Sequence, residues 1–249
     1  MRIVTFLSDF GTRDWFTASV KGEIFKIAPD VRIVDITHDI TQFDIRGAAF
    51  LLHAVYGNFP GGTIHLAVVD PGVGGPRKPI IVESMGHYFI GPDNGLFSYI
   101  YTPKSKVYEI RASVLVSSTF HARDIFGPAA ARLATGYRAD VLGKEFSGYT
   151  RFGVPRITKK GRNIKGEIVY IDHFGNCITN VPNKYRLKAV DIAGKKIAVK
   201  KSYVECKPRE LIAVKGSIGY YEIAANQDNA SIILNANVRA RVKAHEVSI

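Results

Sequence analysis

The residues best suited to chemistry lie in residues 66–79, with the sequence LAVVDPGVGGPRKP. A short apolar run ends on Asp70, and a loop rich in glycine and proline follows it. α/β proteins often place ligand-contacting carboxylates at such a strand end. Arg77 comes seven residues after Asp70, so the loop can fold its guanidinium back onto the carboxylate. The pair either pins the loop or orders a reacting group, and the segment offers no Ser or Cys for acyl transfer.

Two further polar residues stand at comparable points of the chain. Asp9 follows an apolar run at residues 3–7 and precedes a segment with helical spacing. It either caps that helix, a role that Asp14 could also fill, or accepts both hydroxyls of a ribose. His121 precedes an apolar, alanine-rich segment, so it is expected at a helix start, and its side chain titrates near neutral pH.

The elements that position these residues alternate between strand and helix over residues 1–155. Helical spacing is found at residues 15–27, 45–56 and 125–135, and strands are predicted at residues 3–7, 31–35, 63–69, 79–84, 87–90 and 106–110. This alternation predicts an α/β domain with a central sheet flanked by helices. His38, at the end of one strand, is expected to be a hydrogen-bonded structural residue.

Residues 164–249 have a different character. β-branched and aromatic runs separated by turns predict strands at residues 166–172, 189–192, 195–199, 211–215, 220–224, 231–234 and 239–243. No convincing helical segment remains, which predicts a small all-β, barrel-like domain. Residues 150–163 are poor in large apolar side chains and form the expected linker.

Two polar stretches stand out in this second part. Asp172, Phe174 and Asn176 offer a carboxylate, an aromatic face and an amide, which together suit a nucleoside. Ser217 and Asn226 belong to the other stretch. Residues of these types at strand ends are also common turn formers, and the sequence leaves both interpretations open.

The composition limits the classes of protein to consider. The net charge is +12, but the Lys and Arg residues are widely spread and match no RNA- or DNA-binding motif. We therefore expect charged, solvated turns, with a basic nucleic-acid-binding module as the alternative. Two cysteines suggest a reducing compartment, and no metal-ligand spacing is present.

The chain also has no feature typical of export or of a membrane span. Met1 and Arg2 lead directly into an apolar strand rather than a signal peptide. No apolar run approaches the roughly 20 residues that span a bilayer. We expect a cytoplasmic protein that acts without a membrane and without a metal ion.

Six segments, in order, resemble the S-adenosyl-L-methionine hydroxide adenosyltransferase family: LSDFGTRDWFTASVKG, VVDPGVGGPR, IGPDNGLFS, STFHARDIFGPAAA, IDHFGNCITN and GSIGYYEIAANQDNA. The similarity runs over essentially the whole chain. The family is related to the enzymes that make fluorinated and chlorinated adenosines. The resemblance implies an α/β domain, a β-barrel domain and a homotrimer with active sites at subunit interfaces. It implies hydrolysis of S-adenosyl-L-methionine at C5′ to adenosine and L-methionine, with no cofactor.

The resemblance also implies roles for individual residues. Asp70, Arg77 and His121 match the family's catalytic triad. The positions matching substrate-binding residues are Asp9 for the ribose, Asp172 for the amino group, Ser217 for the methionine end, and Phe174 and Asn176 for the nucleoside. Tyr203 is a weaker match, as a stacking partner for adenine, and Asn226 completes the expected set.

The implied chemistry agrees with these residue types. A sulfonium is already a good leaving group, so the site must supply an oxygen nucleophile in line behind C5′. Asp70 would take a proton from water, directly or through His121, and Arg77 would stabilise hydroxide character. The sequence leaves open which of the three residues removes the proton.

Two alternatives share the same fold. A halide-using adenosyltransferase would carry a serine hydroxyl where this chain has Ala122, a position at which the family often has glycine. A non-catalytic nucleoside sensor would keep the pocket without turnover.

Overall fold

The structure, a computed structural model, describes residues 2–111 and 116–247. It divides into two compact units, Met1–Gly153 and Val154–Ile249. The N-terminal unit is an α/β fold, and the C-terminal unit is built around a second sheet. Within the described ranges, no helix has the length and apolar character needed to cross a bilayer.

The N-terminal unit contains a seven-stranded sheet, counted over the described residues, in the order β2-β1-β3-β5-β4-β6-β7. Its elements are β1 (Ile3–Ser8), α1 (Phe16–Ile27), β2 (Arg32–Thr37), α2 (Ile45–Val55), β3 (Ile64–Val68), β4 (Pro79–Ser84), β5 (His87–Pro92), β6 (Lys106–Ile110), α3 (Gly127–Ala134), α4 (Ala139–Leu142) and β7 (Gly143–Glu145). β1 is parallel to β2 and β3, β3 is parallel to β5, and the remaining pairs are antiparallel.

The helices cover both faces of this sheet. Val20 and Ile24 of α1 share one buried cluster with α3, whereas Ala48 and Leu52 of α2 belong to another cluster on the opposite face. The chain therefore crosses over on one face between β1 and β2 and on the other between β2 and β3. This reversal makes the carboxyl edge between β1 and β3 a topological switch point, where open α/β sheets bind ligands.

The predicted helices agree with the structure at α1 and α2, and the third differs at its start. One turn of π-helix, Ala122–Phe126, precedes α3, with Pro128 in the first turn of α3. β7 and α4 were not predicted. They are short, and a three- or four-residue element carries too few side chains for its periodicity to be recognised.

The C-terminal unit contains an eight-stranded sheet, again over the described residues, that nearly closes into a barrel. Its elements are β8 (Thr158–Lys160), β9 (Asn163–Ile171), β10 (Cys177–Pro182), β11 (Leu187–Ile192), β12 (Lys195–Ala198), β13 (Leu211–Lys215), β14 (Tyr220–Ala225), α5 (Ala230–Leu234) and β15 (Arg241–Glu246). The order is β12-β11-β15-β9-β10-β14-β13, with β8 beside β9. A bridge between Val199 and Ala213 brings the two ends of this order together.

The prediction of an all-β domain without helices is wrong at residues 231–234, which belong to α5 rather than to a strand. The Asn229 side chain accepts a hydrogen bond from the Ile232 N–H and so caps the helix. Asn235 ends it in the left-handed conformation, at φ 46°. A short apolar run looks the same in a strand and in a buried helix, so the flanking residues Asn229 and Asn235 were the only sequence indication of a helix here.

Two strands lie where none was predicted. β8 falls within the expected linker, residues 150–163. β10 was missed because Thr179 and Asn180 interrupt its apolar pattern, and both are buried. Both side chains form hydrogen bonds inside the sheet: Thr179 donates to the Tyr221 carbonyl at 2.7 Å, and Oδ1 of Asn180 accepts the Glu167 N–H at 2.8 Å.

Candidate active site

Strand register brings Asp9 and Asp70 to the same edge of the sheet. β1 and β3 are parallel neighbours, with Ser8 opposite Val68. Asp9 comes one residue after β1, and Asp70 comes two residues after β3. Both carboxylates therefore leave the sheet at its switch point.

Arg77 connects Asp70 to His121. Its Nε donates to Oδ1 of Asp70 at 3.0 Å, and its Nη2 donates to the other carboxylate oxygen. The same Nη2 lies 2.7 Å from Nδ1 of His121. The Asp70 and Arg77 side chains are only 6% and 9% exposed, so solvent screens this pair weakly. The structure thus brings the three residues together.

The glycine loop makes this meeting possible. Gly74 has φ 77°, and a Cβ there would lie 2.3 Å from the Ser118 carbonyl oxygen. The loop therefore packs its backbone directly against the segment that leads to His121, and a larger residue would push the two apart.

The Arg77 guanidinium also lies over the ring of Phe126, with Cζ 5.4 Å from the ring centroid.

The surroundings of His121 favour its neutral form. Burial lowers the pKa of His121, and the positive charge of Arg77 lowers it further, against the opposing effect of Asp70 and Asp124. A guanidinium has only donors, so Nδ1 of His121 must accept the bond from Arg77. The ring proton is therefore assigned to Nε2, and His121 presents an N–H donor on its far side.

One nitrogen of Arg77 remains unsatisfied. Its Nη1 is buried and has no hydrogen-bond partner among the described residues. A buried, charged donor without a partner is costly, and an oxygen carrying negative charge would satisfy it. Asp70 can therefore offer a hydrogen-bond acceptor, Arg77 a positive charge and His121 a neutral N–H donor.

Asp9, Asp70 and His121 line one cleft of about 420 Å³. Asp14 lies there too, and the aromatic lining consists of Phe10, Phe16, Phe43 and Phe120. Apolar walls with a few convergent polar groups are typical of small-molecule sites of this size. Ala122, 3% exposed, also lines the cleft and brings no hydroxyl to it.

Asp9 does not cap a helix, so that interpretation is wrong. α1 begins after Trp15 without a side-chain cap, and Asp14 does not cap it either. Instead, Oδ2 of Asp9 accepts the Phe43 N–H at 3.0 Å. Phe43 was not predicted as a site residue, yet it is 65% exposed at the cleft and has φ 66°. Its only sequence signal is an aromatic residue directly before the N-cap of α2, Asp44.

His38 is structural, as predicted. It is 6% exposed, its Nδ1 lies 2.8 Å from Oγ of Ser8, and its Nε2 lies 3.1 Å from Oδ1 of Asp35. Asp35 in turn forms an ion pair with Lys21 of α1 at 2.6 Å. This chain of contacts connects β1, β2 and α1 at Ser8, the residue that precedes Asp9.

The C-terminal unit holds a second cavity, of about 600 Å³. All six site residues predicted in this unit line it: Asp172, Phe174, Asn176, Tyr203, Ser217 and Asn226. Glu222 and Asp228 line it as well and were not predicted. Sequence reasoning missed Glu222 because it lies inside β14. The alternation of side chains along a strand predicts which face of the sheet a residue is on, but not whether a cavity lies next to it.

Asp172 is used within its own turn. Its Oδ1 accepts the N–H groups of Phe174 at 3.0 Å and Asn176 at 2.8 Å, and its Oδ2 accepts Nδ2 of Asn176 at 2.9 Å. The turn-forming interpretation therefore holds for Asp172. It does not exclude the pocket, because the same turn leaves the Phe174 ring 74% exposed.

Fold and site together define a two-domain protein with a ligand-sized cleft at the switch point of its α/β unit. The model of the SAM hydroxide adenosyltransferase N-terminal domain matches residues 4–143, and that of the C-terminal domain matches residues 166–243. The chain belongs to the SAM hydroxide adenosyltransferase family.

Individual relatives agree with this membership. An (R)-S-adenosyl-L-methionine hydrolase from Thermus thermophilus is 35% identical over 244 residues, covering 92% of this chain and 94% of the relative. A fluorinase from Actinoplanes is 28% identical over 212 residues, covering 72% and 71%. A crystal structure of an uncharacterized conserved protein from Thermotoga maritima has a TM-score of 0.90 at 30% identity, covering 98% of this chain and 100% of that one.

Proposed function

We propose that this protein hydrolyses S-adenosyl-L-methionine to adenosine and L-methionine. The observation that carries the proposal is that Arg77 is hydrogen-bonded to both Asp70 and His121, two residues that line a cleft of about 420 Å³. The relative that is 35% identical over nearly the whole chain bears the name of such a hydrolase. Family membership supports the same reaction.

The reaction is an in-line displacement at C5′. An oxygen of water forms a bond to C5′ while the C5′–S bond breaks, and the electron pair of that bond neutralises the sulfonium to a thioether. The leaving group therefore needs no acid, no metal and no cofactor. What the site must supply is a positioned oxygen and a place for its proton.

Asp70 is the residue that takes this proton. In this geometry Nδ1 of His121 accepts the bond from Arg77, so the imidazole has no free acceptor nitrogen. Its Nε2–H donates to the attacking oxygen and orients it. The positive charge of Arg77 keeps Asp70 ionised and stabilises the developing hydroxide electrostatically. His121 and Arg77 are thus electrostatic and orienting partners of one base.

The remaining residues bind the substrate. Asp9 accepts the ribose hydroxyls, with the exposed Phe43 ring beside it. In the C-terminal unit, Asp172 and Ser217 face the methionine end, and the nucleoside contacts are Phe174, Asn176, Tyr203 and Asn226. We propose that a homotrimer completes each active site at a subunit interface, and light scattering that finds a fully active monomer would remove this part of the proposal.

A halide-using adenosyltransferase is the second candidate. Ala122 argues against it, because a buried methyl group cannot hydrogen-bond a halide. The fluorinase relative is also less similar and covers less of the chain than the hydrolase relative. A nucleoside sensor would keep both cavities and show no turnover.

The test is incubation of the purified protein with S-adenosyl-L-methionine in buffer containing EDTA and chloride, followed by chromatography. We expect equal amounts of adenosine and methionine, and no 5′-halogenated adenosine. Asp70→Asn should abolish most of this activity. Asp140→Asn is the matched control, since Asp140 is an exposed partner of Arg138 outside the cleft. Binding without any adenosine formation would identify a sensor instead.

A further inference from the structure

The segment IGPDNGLFS, residues 90–98, has no role in the site as described so far. It covers the end of β5 and the turn that follows. The structure describes each of these residues, and none of them lines the cleft of about 420 Å³ that Asp70 and His121 share. Any contribution of this segment to the site must therefore come through the residues that it holds in place.

Two consecutive residues of this segment hold the glycine loop, residues 70–77, at both of its ends. The Asn94 side chain donates from Nδ2 to the Val69 carbonyl oxygen at 2.8 Å. The Asp93 N–H donates to the Lys78 carbonyl oxygen, also at 2.8 Å. Val69 directly precedes the loop and Lys78 directly follows it. One short turn therefore connects the point where the loop leaves the sheet to the point where it returns.

The contact with Val69 fixes the peptide from which Asp70 projects. The Val69 carbonyl and the Asp70 nitrogen belong to one planar peptide unit. A hydrogen bond to this carbonyl limits the rotation of the unit and, with it, the position of the Asp70 Cα. Arg77 donates to both carboxylate oxygens of Asp70 and also to His121. A shift of Asp70 therefore changes the position of the guanidinium relative to the imidazole.

Both ends of the Asn94 amide are engaged. Its Oδ1 accepts the Leu96 N–H at 3.2 Å, a contact of the kind that forms an Asx turn. The Asn94 N–H donates to the Pro92 carbonyl oxygen at 3.0 Å. Because the amide oxygen faces an N–H, the amide nitrogen faces the Val69 carbonyl, and the orientation of the amide follows from its partners. The donor is therefore presented by an ordered turn.

Close packing brings this turn up to the end of β3. A Cβ on Gly91 would lie 2.2 Å from the Ala67 carbonyl oxygen, so the backbone of β5 can approach β3 here only because the residue is glycine. Leu96 and Phe97 are buried in the core cluster that also contains Val69. The turn and the end of β3 therefore belong to one packed body.

We propose that Asn94 is a positioning residue for the Asp70–Arg77–His121 unit and acts through the Val69 carbonyl. It lies outside the cleft, and its amide sets the direction in which Asp70 leaves the sheet. Arg77 transmits this geometry to His121. The effect on the reaction rate rests on the proposed function, whereas the effect on the geometry of the three side chains does not.

Asn94→Ser tests this role in the full-length protein. A serine hydroxyl can still accept the Leu96 N–H, but it is too short to reach the Val69 carbonyl. The variant should lower kcat by about tenfold to hundredfold, the cost of a misplaced reacting group, with a smaller change in KM. Steady-state kinetics with S-adenosyl-L-methionine measure both constants.

The titration of His121, followed by NMR, is a second measurement that does not need turnover. Burial and the positive charge of Arg77 both lower the pKa of His121. Asn94→Ser loosens the contact between Arg77 and His121, so the midpoint should move upward. A residue that only stabilised the fold would leave this midpoint in place.

Three further variants sharpen the result. Asn58→Ser is the matched control, because Asn58 is exposed and lies outside the cleft, and its kcat and His121 midpoint should match those of wild type. In an Asp70→Ala background, Asn94→Ser should cause no further loss of kcat. Asn94→Thr repeats the test with another neutral hydroxyl side chain if Asn94→Ser does not fold, which thermal unfolding would show.

The outcomes separate this inference from the proposed function. An unmoved His121 midpoint in the folded Asn94 variant overturns the inference, whether kcat falls or not. A kcat loss that is equally large in the Asp70→Ala background also overturns it, because Asn94 then does not act through Asp70. Wild-type protein that forms no adenosine contradicts the proposed function, and an upward shift of the His121 midpoint in Asn94→Ser still supports the inference.

Discussion

Arg77 donates a hydrogen bond from Nη2 to Nδ1 of His121 across 2.7 Å, and this contact fixes what the imidazole can do. A histidine that accepts from a guanidinium cannot accept a proton at the same nitrogen. Arg77 also donates from Nε to Oδ1 of Asp70, and under the proposed function Asp70 is therefore the expected base. The three residues form one hydrogen-bonded unit rather than three independent groups.

Loss of Asp70 should affect the chemical step more than substrate binding. General-base catalysis is typically worth about 10²–10⁴ in rate, so Asp70→Ala should lower kcat within that range, with a smaller change in KM. His121→Ala should lower kcat as well. Because the residues act as one unit, the kcat of the double variant Asp70→Ala/His121→Ala should be little lower than that of the less active single variant. Steady-state kinetics measure all three, and near-wild-type kcat in both single variants would contradict the triad.

The pH dependence should follow the lowered pKa of His121. Its neutral form, which Arg77 can hydrogen-bond, persists to a lower pH than in an ordinary histidine. Activity should therefore fall on acidification with a midpoint below about 6.5, the usual value for histidine. Arg77→Gln removes a positive charge beside the ring, so the His121 midpoint followed by NMR should move upward. A midpoint that stays in place would show that Arg77 does not perturb the imidazole.

Asp9→Ala tests the ribose site. If Asp9 accepts ribose hydroxyls, the variant should weaken adenosine binding by about 1–3 kcal/mol. The same change frees the Phe43 N–H, so a structural loss must be separated from a lost ligand contact. Binding of 2′-deoxyadenosine makes the separation. Binding of 2′-deoxyadenosine should be weaker than adenosine binding in wild-type protein and nearly equal to it in the variant. If both proteins prefer adenosine equally, Asp9 only holds the segment around Phe43 in place.

The sequence alone predicted the position of those candidate residues that stand directly after a strand. Asp9 and Asp70 each follow an apolar run, so their place at a strand end could be predicted. His121 lies 44 residues after Arg77, and only the family resemblance connected the two before the structure did. Glu222 and Phe43 were missed because they are recognised only by the cavities they line, and long-range packing creates those cavities. α5 could not be predicted either, because its five residues are too few to show helical periodicity.

Stability should also depend on pH through a buried histidine remote from the cleft. His65 has its Nδ1 2.8 Å from Oγ1 of Thr5 and its Nε2 3.2 Å from Nδ1 of His87. Burial lowers the pKa of His65 to about 3, with a further contribution from His87. The unfolded chain binds this proton near pH 6.5, so the contribution to stability is complete above that pH and is lost as the pH falls.

The expected size is about 1.4 kcal/mol of unfolding free energy per pH unit below about 6. Urea titrations between pH 6 and pH 4 measure it, and His65→Gln should have a shallower slope because its side chain does not titrate. Identical slopes in the two proteins would mean that His65 takes no part in acid destabilisation.

The origin of the 5′-oxygen tests the central claim most directly. We would incubate the protein with S-adenosyl-L-methionine in water enriched in ¹⁸O and examine the adenosine by mass spectrometry. Attack of solvent water on C5′ predicts one ¹⁸O atom per adenosine, located on the 5′-oxygen, and unlabelled methionine. Adenosine that forms without the label would contradict hydrolysis by the Asp70–Arg77–His121 unit.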